Sequence, residues 1–300
     1  MSGDLVNGLF LQLVTGLQLA AIYMLIALGL TLIFGTLGVV NFAHGALFML
    51  GAYAAVIIAG HLGFSAAILL VPFILFAVGV LMERGVIRLF YDRPHTDQIM
   101  VTFGIALVIQ ETLKWVYGAN NLPFPLPSWG AGIVRMHEWV PFLHGFVAYP
   151  KWRLILTAVS AVTVLGLFAL LQFTRFGLIV RAGMRDSEML RFLGVNIERR
   201  FSIVFGLGAL IAGIAGLFGG PVSQVHPEVG MSYLVPSFLV VVIGGMGSLA
   251  GAVLAALLLG MALSFSAEYS SIQQIVVYVV AVVILLFRPR GILGQKGVLE

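Results

Sequence analysis

Long apolar segments leave this chain few folds to adopt. Eight of them fall at about 5–34, 36–60, 62–82, 99–117, 154–173, 201–219, 233–265 and 272–287. A helix needs roughly 20 apolar residues to cross the hydrocarbon core of a membrane. Only 9% of the 300 residues are charged, against about 25% in a soluble domain. We therefore expect an all-α, polytopic membrane protein with about eight to nine transmembrane helices, which form one domain over residues 1–300.

The basic residues indicate how the chain is oriented in the membrane. Loop 83–98, loop 174–200 and the tail after residue 287 together hold 12 of the 16 Lys and Arg residues. Basic loops stay on the cytoplasmic side, so these three regions and the C-terminus are predicted to be cytoplasmic. Loop 118–152 and the N-terminus are then periplasmic, and the first apolar segment is a membrane span rather than a cleaved signal peptide.

Segment 233–265 is too long for one crossing, and the basic tail reaches the cytoplasm only if this segment enters and returns. The nine residues Ile243–Gly251 include four glycines, which provide a place for the reversal. The part before them, Tyr233–Ile243, is about 16 Å of helix, roughly half a bilayer. We therefore predict a re-entrant, broken segment near 244–251, with Gly244, Gly245 and Gly247 at the break.

A second interruption is predicted near 35–45, where Asn41, His44 and Gly45 stand inside an apolar segment. Paired broken segments in the two halves of a transporter mark its transport path, and non-helical backbone at membrane depth must be covered by protein or line an aqueous path. A buried His is more often packed in the core than a ligand. We therefore expect Asn41 and His44 mainly to hold unwound backbone.

The sequence argues against several classes of function. Glu111 and Lys114 are the charged residues inside a predicted span, and their spacing lets them pair, although contact with substrate stays open. A carrier coupled to an ion gradient usually buries charge in its spans. No Walker A sequence or catalytic motif is present, no metal site is predicted, and nothing suggests nucleic-acid binding. The chain is not expected to be an enzyme, which leaves a passive channel or a permease driven by another subunit.

Loop 174–200 favours the driven permease. Its middle part, Met184–Leu193, alternates charged residues with apolar ones and ends at Gly194, which is typical of a short amphipathic helix. The charged members include Arg185, Asp186 and Glu188. A solvated basic loop is the alternative, but exposed apolar residues on a helix are suited to docking in a groove of a soluble partner.

Four stretches of the chain resemble H-type permease subunits of bacterial branched-chain amino acid ABC importers. They are GLTLIFGTLGVVNFAHGALFMLGAY at 29–53, RAGMRDSEMLRFLGVN at 181–196, VIGGMGSLAGAVLAALLLG at 242–260 and FRPRGILG at 287–294. The resemblance implies the fold of type II importer permeases in the bacterial inner membrane, surrounded by lipid. It also implies a second, related permease chain, two cytoplasmic ATPase subunits that bind ATP and Mg, and a periplasmic substrate-binding protein. No cofactor is implied for this chain itself.

The same resemblance assigns roles to residues of the cytoplasmic loop. Arg181, Asp186, Leu190, Gly194 and Asn196 fall on the part that couples to the ATPases in this family. One position departs from many relatives, since Ala46 stands where they carry a Glu, so any role of that carboxylate is absent. Members of the family also carry urea, short amides or aromatic acids, which leaves the substrate open.

Overall fold

The chain is described by a computed structural model over residues 3–185, 189, 192, 194, 196–267 and 273–294. Asp186, Glu188 and Leu190, three of the predicted coupling residues, lie outside these described residues. Within them the chain forms ten α-helices and two short strands. The helices are α1 (Gly3–Leu37), α2 (His44–Leu62), α3 (Phe64–Gly85), α4 (His95–Tyr117), α5 (Lys151–Phe173), α6 (Arg175–Arg185), α7 (Ile197–Ser223), α8 (Val229–Gly244), α9 (Leu249–Phe265) and α10 (Gln273–Phe287).

The helices agree with a multi-pass membrane protein. Among the described residues, six helices are long and apolar enough to cross a membrane, namely α1 to α5 and α7. Helices α8, α9 and α10 are apolar but shorter, with 16, 17 and 15 residues. The largely helical, multi-pass fold is thus confirmed, whereas the count of about eight to nine crossings and the sides on which the termini lie stay predictions.

Helices α1 and α7 form the centre of the bundle, and small residues let their neighbours approach closely. The backbone of α9 at Gly260 lies against Gly16 and Ala20 of α1, and α2 crosses α7 where Gly51 meets Gly213. Without a hydrophobic driving force inside a membrane, helices associate through such close packing. Glycines at these crossings therefore determine how the bundle is assembled.

The loop between α4 and α5 folds over one end of the bundle, which we call the outer end. Strands β1 (Ile133–Arg135) and β2 (Ala148–Pro150) pair there as an antiparallel ribbon. Trp152 is buried against Phe64 and Phe218, and its indole Nε1 donates to the carbonyl oxygen of Phe218 at 2.9 Å. Tryptophan with an apolar body and one polar group is common at membrane interfaces. This cluster fixes the start of α5, where the loop ends, on α3 and α7.

Candidate functional site

The first helix break comprises residues 38–43, between α1 and α2, and side chains hold its backbone. Asn41 is 2% exposed, and its Oδ1 accepts a hydrogen bond from the amide N–H of Ala43 at 3.0 Å. The N–H of Phe42 donates to Oγ1 of Thr102 on α4, also at 3.0 Å. Because a buried, unpaired N–H group is costly, these two acceptors stabilise the break. Thr102 was not singled out from the sequence.

His44 begins α2 and is fully buried against α1. A Cβ atom at Gly29 would lie 2.5 Å from its Nε2, so the ring fills the space that this glycine leaves. Within the described part of the chain neither ring nitrogen makes a hydrogen bond of ordinary geometry, although the backbone of Ile26 interacts with the ring. The bond that we expected from His44 to the freed backbone is not made; Thr102 and Asn41 accept the N–H groups of Phe42 and Ala43 instead. At the next residue, the backbone of Gly45 touches that of Gly230 on α8.

The second break comprises residues 245–248, between α8 and α9, and here backbone contacts dominate. Gly245 has φ of +100°, a conformation that residues with a side chain rarely adopt. Ser248 caps α9, since its Oγ accepts from the N–H of Gly251 at 3.1 Å. Gly251 in turn packs directly on the backbone of Gly244. The chain therefore reverses here with very little room for side chains.

The C-terminal segment 288–294 covers this second break. The N–H of Ile292 donates to the carbonyl oxygen of Ile243 at 2.7 Å, and the N–H of Leu293 donates to that of Gly244 at 3.1 Å. Both carbonyls belong to the last turn of α8, where the carbonyl oxygens of a helix have no N–H donors within the helix. The tail motif FRPRGILG thus completes the end of α8, a contact that the sequence did not reveal.

The two breaks adjoin each other. A Cβ atom at Gly247 would lie 3.3 Å from the Cα atom of Gly35, two residues before the end of α1. Between the breaks is a cavity of about 10 Å³, close to the smallest space that holds one water molecule. Its walls are formed by Leu30, Phe34, Val39, Val40, Asn41, Phe238, Val241 and Met246. The site is therefore narrow, apolar and uncharged, with the Asn41 amide as its polar group.

The outer end carries a wider pocket of about 310 Å³ that is open to solvent. Lys114 and Glu228 line it together with Asn121 and Gln224, whose side-chain amides bond to each other at 2.7 Å. Gln224 has φ of +62°, which is unusual for a residue other than glycine. Of the three ion pairs among the described residues, none joins Lys114 to Glu111. The predicted pair is therefore not formed, and both side chains are exposed.

The predicted coupling residues that the structure describes lie in α6 and just before α7. Asn196 is its N-cap, and its Oδ1 accepts from the N–H of Arg199 at 3.0 Å. Gly194 has φ of +78°, as expected of a glycine that follows a helix. Arg181 donates to the carbonyl oxygen of Leu171, and Arg185 is the last residue of α6. Their roles in coupling stay predictions.

A polar cluster near the start of α7 was missed from the sequence. It consists of Glu83, Arg88, Tyr91, Glu198 and Ser202, and we call it the Glu83 cluster. Glu83 lies one residue beyond the apolar segment predicted to end at 82, so it was counted with the loop. The structure instead places it in α3 with 0% exposure. The described residues include no group of three or more His, Cys, Asp or Glu side chains that could hold a metal ion.

These features together define a class of protein: a multi-pass membrane protein in which two helix breaks meet at a narrow, uncharged cavity. The family model for the permease component of branched-chain amino acid transport systems matches residues 12–288. The chain belongs to this family.

Individual relatives cover nearly the whole chain. The chain is 29% identical to the high-affinity branched-chain amino acid transport system permease protein LivH of Salmonella typhimurium, over 96% of both chains. It is also 29% identical to the corresponding permease BraD of Pseudomonas aeruginosa, with the same coverage. A second type, LivM of Salmonella typhimurium, is 28% identical over 91% of this chain and 68% of its own length. No solved structure matches the chain.

Proposed function

We propose that this chain is the membrane permease subunit of an ATP-driven importer for branched-chain amino acids. The observation that carries the proposal is the meeting of two helix breaks around one uncharged cavity, in a chain of the permease family. The proposed substrate class is that of the relatives LivH and BraD.

The proposed path runs between the two breaks, in contact with a second permease chain. The likeness to both LivH and LivM supports a partner of a different but related sequence. A periplasmic binding protein would deliver the substrate to the pocket beside Lys114 and Glu228, where a cation and an anion suit the two ends of a zwitterion. Separate ATPase subunits would supply the energy through the coupling loop predicted over 174–200.

An uncharged path suits this task because a zwitterion that is bound tightly by fixed charges would be released slowly. Selectivity then belongs mainly to the binding protein, and the path needs only weak contacts such as those of Asn41. In this conformation of the protein the cavity is too small for an amino acid. Movement of either break would open it.

The experiment that tests the proposal is uptake of radiolabelled leucine into proteoliposomes that contain the complete complex and the binding protein. We expect uptake to require ATP and to stop when the Walker lysine of the ATPase subunits is replaced. Leucine uptake that persists with the defective ATPase would contradict the proposal and would indicate a channel or facilitator. Competition by urea, short amides or aromatic acids, but not by isoleucine or valine, would overturn the substrate class alone.

A further inference from the structure

The Glu83 cluster contains a fully buried carboxylate at the end of a membrane-spanning helix. Glu83 accepts hydrogen bonds from the Tyr91 hydroxyl at 2.7 Å, from Ser202 Oγ at 2.5 Å and from Arg88 Nε at 3.3 Å. A buried carboxylate persists only with such partners. Burial, and then the hydrogen bond to Glu83, raise the pKa of Tyr91, so its phenol stays protonated and donates. All three donors come from outside α3, so the carboxylate ties this helix to its neighbours.

Arg88 connects the cluster to the first turn of α7. One guanidinium nitrogen lies 3.0 Å from Oε2 of Glu198, and the other donates to Ser202 Oγ at 3.0 Å. Glu198 stands two residues after Asn196, the N-cap of α7, within the last residues of the coupling loop predicted over 174–200. A displacement of that loop would therefore reach Glu198 in the first turn of α7 and Ser202 one turn later.

On its other side, the cluster is connected to the first helix break. Gln98 of α4 is buried, and its side-chain amide donates to the carbonyl oxygens of Phe90 and Arg93 at 3.0 and 3.2 Å. These bonds hold α4 to the loop that carries Arg88 and Tyr91. One turn further along α4, Thr102 accepts from the N–H of Phe42. Hydrogen bonds thus lead from the start of α7, through α4, to the break at 38–43.

We propose that Glu83 is a positioning residue that transmits movement of the coupling loop to the first helix break. The inference rests on the proposed function, because it requires a loop moved by ATPase subunits. Apolar packing at this point would allow α3 and α7 to slide past each other, whereas a satisfied polar network favours one arrangement. The end of α3, the loop after it and the first turn of α7 then move as one unit.

The test measures ATP hydrolysed per leucine transported, in proteoliposomes with the complete complex and binding protein. Glu83→Gln keeps the size of the side chain but removes the charge that pairs with Arg88. Glu198→Gln removes the second carboxylate that pairs with Arg88. Because the Glu198 side chain is 64% exposed, we expect this variant to fold normally. The matched control is Glu138→Gln, which breaks the exposed pair between Glu138 and Arg135 in the outer loop.

We expect both cluster variants to raise the ratio of ATP to leucine by at least about fivefold, the lower end of typical coupling effects, while the control keeps the parental ratio. A purely structural role predicts instead that uptake and hydrolysis fall together, and this result in both variants would overturn the inference. An unchanged ratio in both would do the same. If the complex with Glu83→Gln does not assemble, the ratio of ATP to leucine measured for Glu198→Gln decides whether the inference stands. If the parental complex imports leucine without ATP, the proposed function itself is wrong. If the parental complex requires ATP and the variants keep its ratio of ATP to leucine, only this inference is wrong.

Discussion

The two helix breaks face the same physical problem and meet it by different means. At the first break, residues 38–43, side chains from α4 and from the break itself accept the free N–H groups. At the second break, residues 245–248, the C-terminal segment donates backbone N–H groups to the free carbonyls of α8. The first break is therefore stabilised mainly by side chains, and the second mainly by backbone hydrogen bonds and close contact of glycine backbones.

This difference determines which substitutions each break tolerates. A break held by side chains should depend on their hydrogen-bonding groups and leave some freedom for movement. A break held by backbone packing should reject any added Cβ and behave as a more rigid point. In the proposed transport cycle, the first break would then move against the second.

The largest effect is expected from Gly251→Ala at the second break. Its Cβ would overlap the carbonyl oxygen of Gly244, and neither backbone can move without separating α8 from α9. We expect a loss of more than about 4 kcal/mol of stability, seen as little folded protein in detergent. Gly38→Ala in the first break is the matched control. It has φ of +68° but open space around it, so it should lose only about 1–2 kcal/mol. Equal losses would contradict the distinction between the breaks.

A smaller effect is expected from His44→Ala beside the first break. Removal of a fully buried ring that fills the space beside Gly29 leaves a cavity, which typically costs about 2–5 kcal/mol. The midpoint of thermal unfolding in detergent measures this loss, with the exposed His61→Ala as control. Leucine should remain preferred over competing solutes in uptake assays. A changed preference with normal folding would assign His44 to the substrate path instead.

The smallest effect is expected from Asn41→Ala. It leaves the buried N–H of Ala43 without its acceptor, a loss of about 1–3 kcal/mol. Asn121→Ala is the control, because this exposed amide bonds to Gln224 at the outer end. The two unfolding midpoints are compared under identical conditions. If Asn121→Ala lowers the midpoint as much as Asn41→Ala, side-chain hydrogen bonds do not specifically stabilise the first break.

Local features of the sequence predicted much of this arrangement. The apolar segments predicted the helical, multi-pass fold, and runs of glycine with Asn41 and His44 predicted where the helices are interrupted. Such signals are readable because helix formation and backbone freedom depend on neighbouring residues. Gly194 was likewise predicted to end a helix, and its φ of +78° is a conformation that glycine adopts readily.

Contacts between distant parts of the chain could not be predicted in this way. Ile292 covers the carbonyl of Ile243, and Thr102 supports Phe42, yet no periodicity relates these residues. Glu83 was missed for a related reason, since a carboxylate at the end of an apolar segment looks solvated until its partners on α7 are known. The predicted pair of Glu111 and Lys114 shows the converse error: suitable spacing on a helix does not make an ion pair between exposed groups.

The most direct test of the central claim is to tie the two breaks together. The chain has no cysteine, so Val39→Cys with Met246→Cys places one thiol on each break, at the cavity that both residues line. Leucine uptake is measured in the complete complex before and after mild oxidation of the two thiols to a disulfide, with each single variant as control. The account predicts that the cross-linked double variant loses leucine uptake, whereas the two single-cysteine variants retain it after the same treatment. Parental uptake in a fully cross-linked complex would show that the breaks do not move apart during transport.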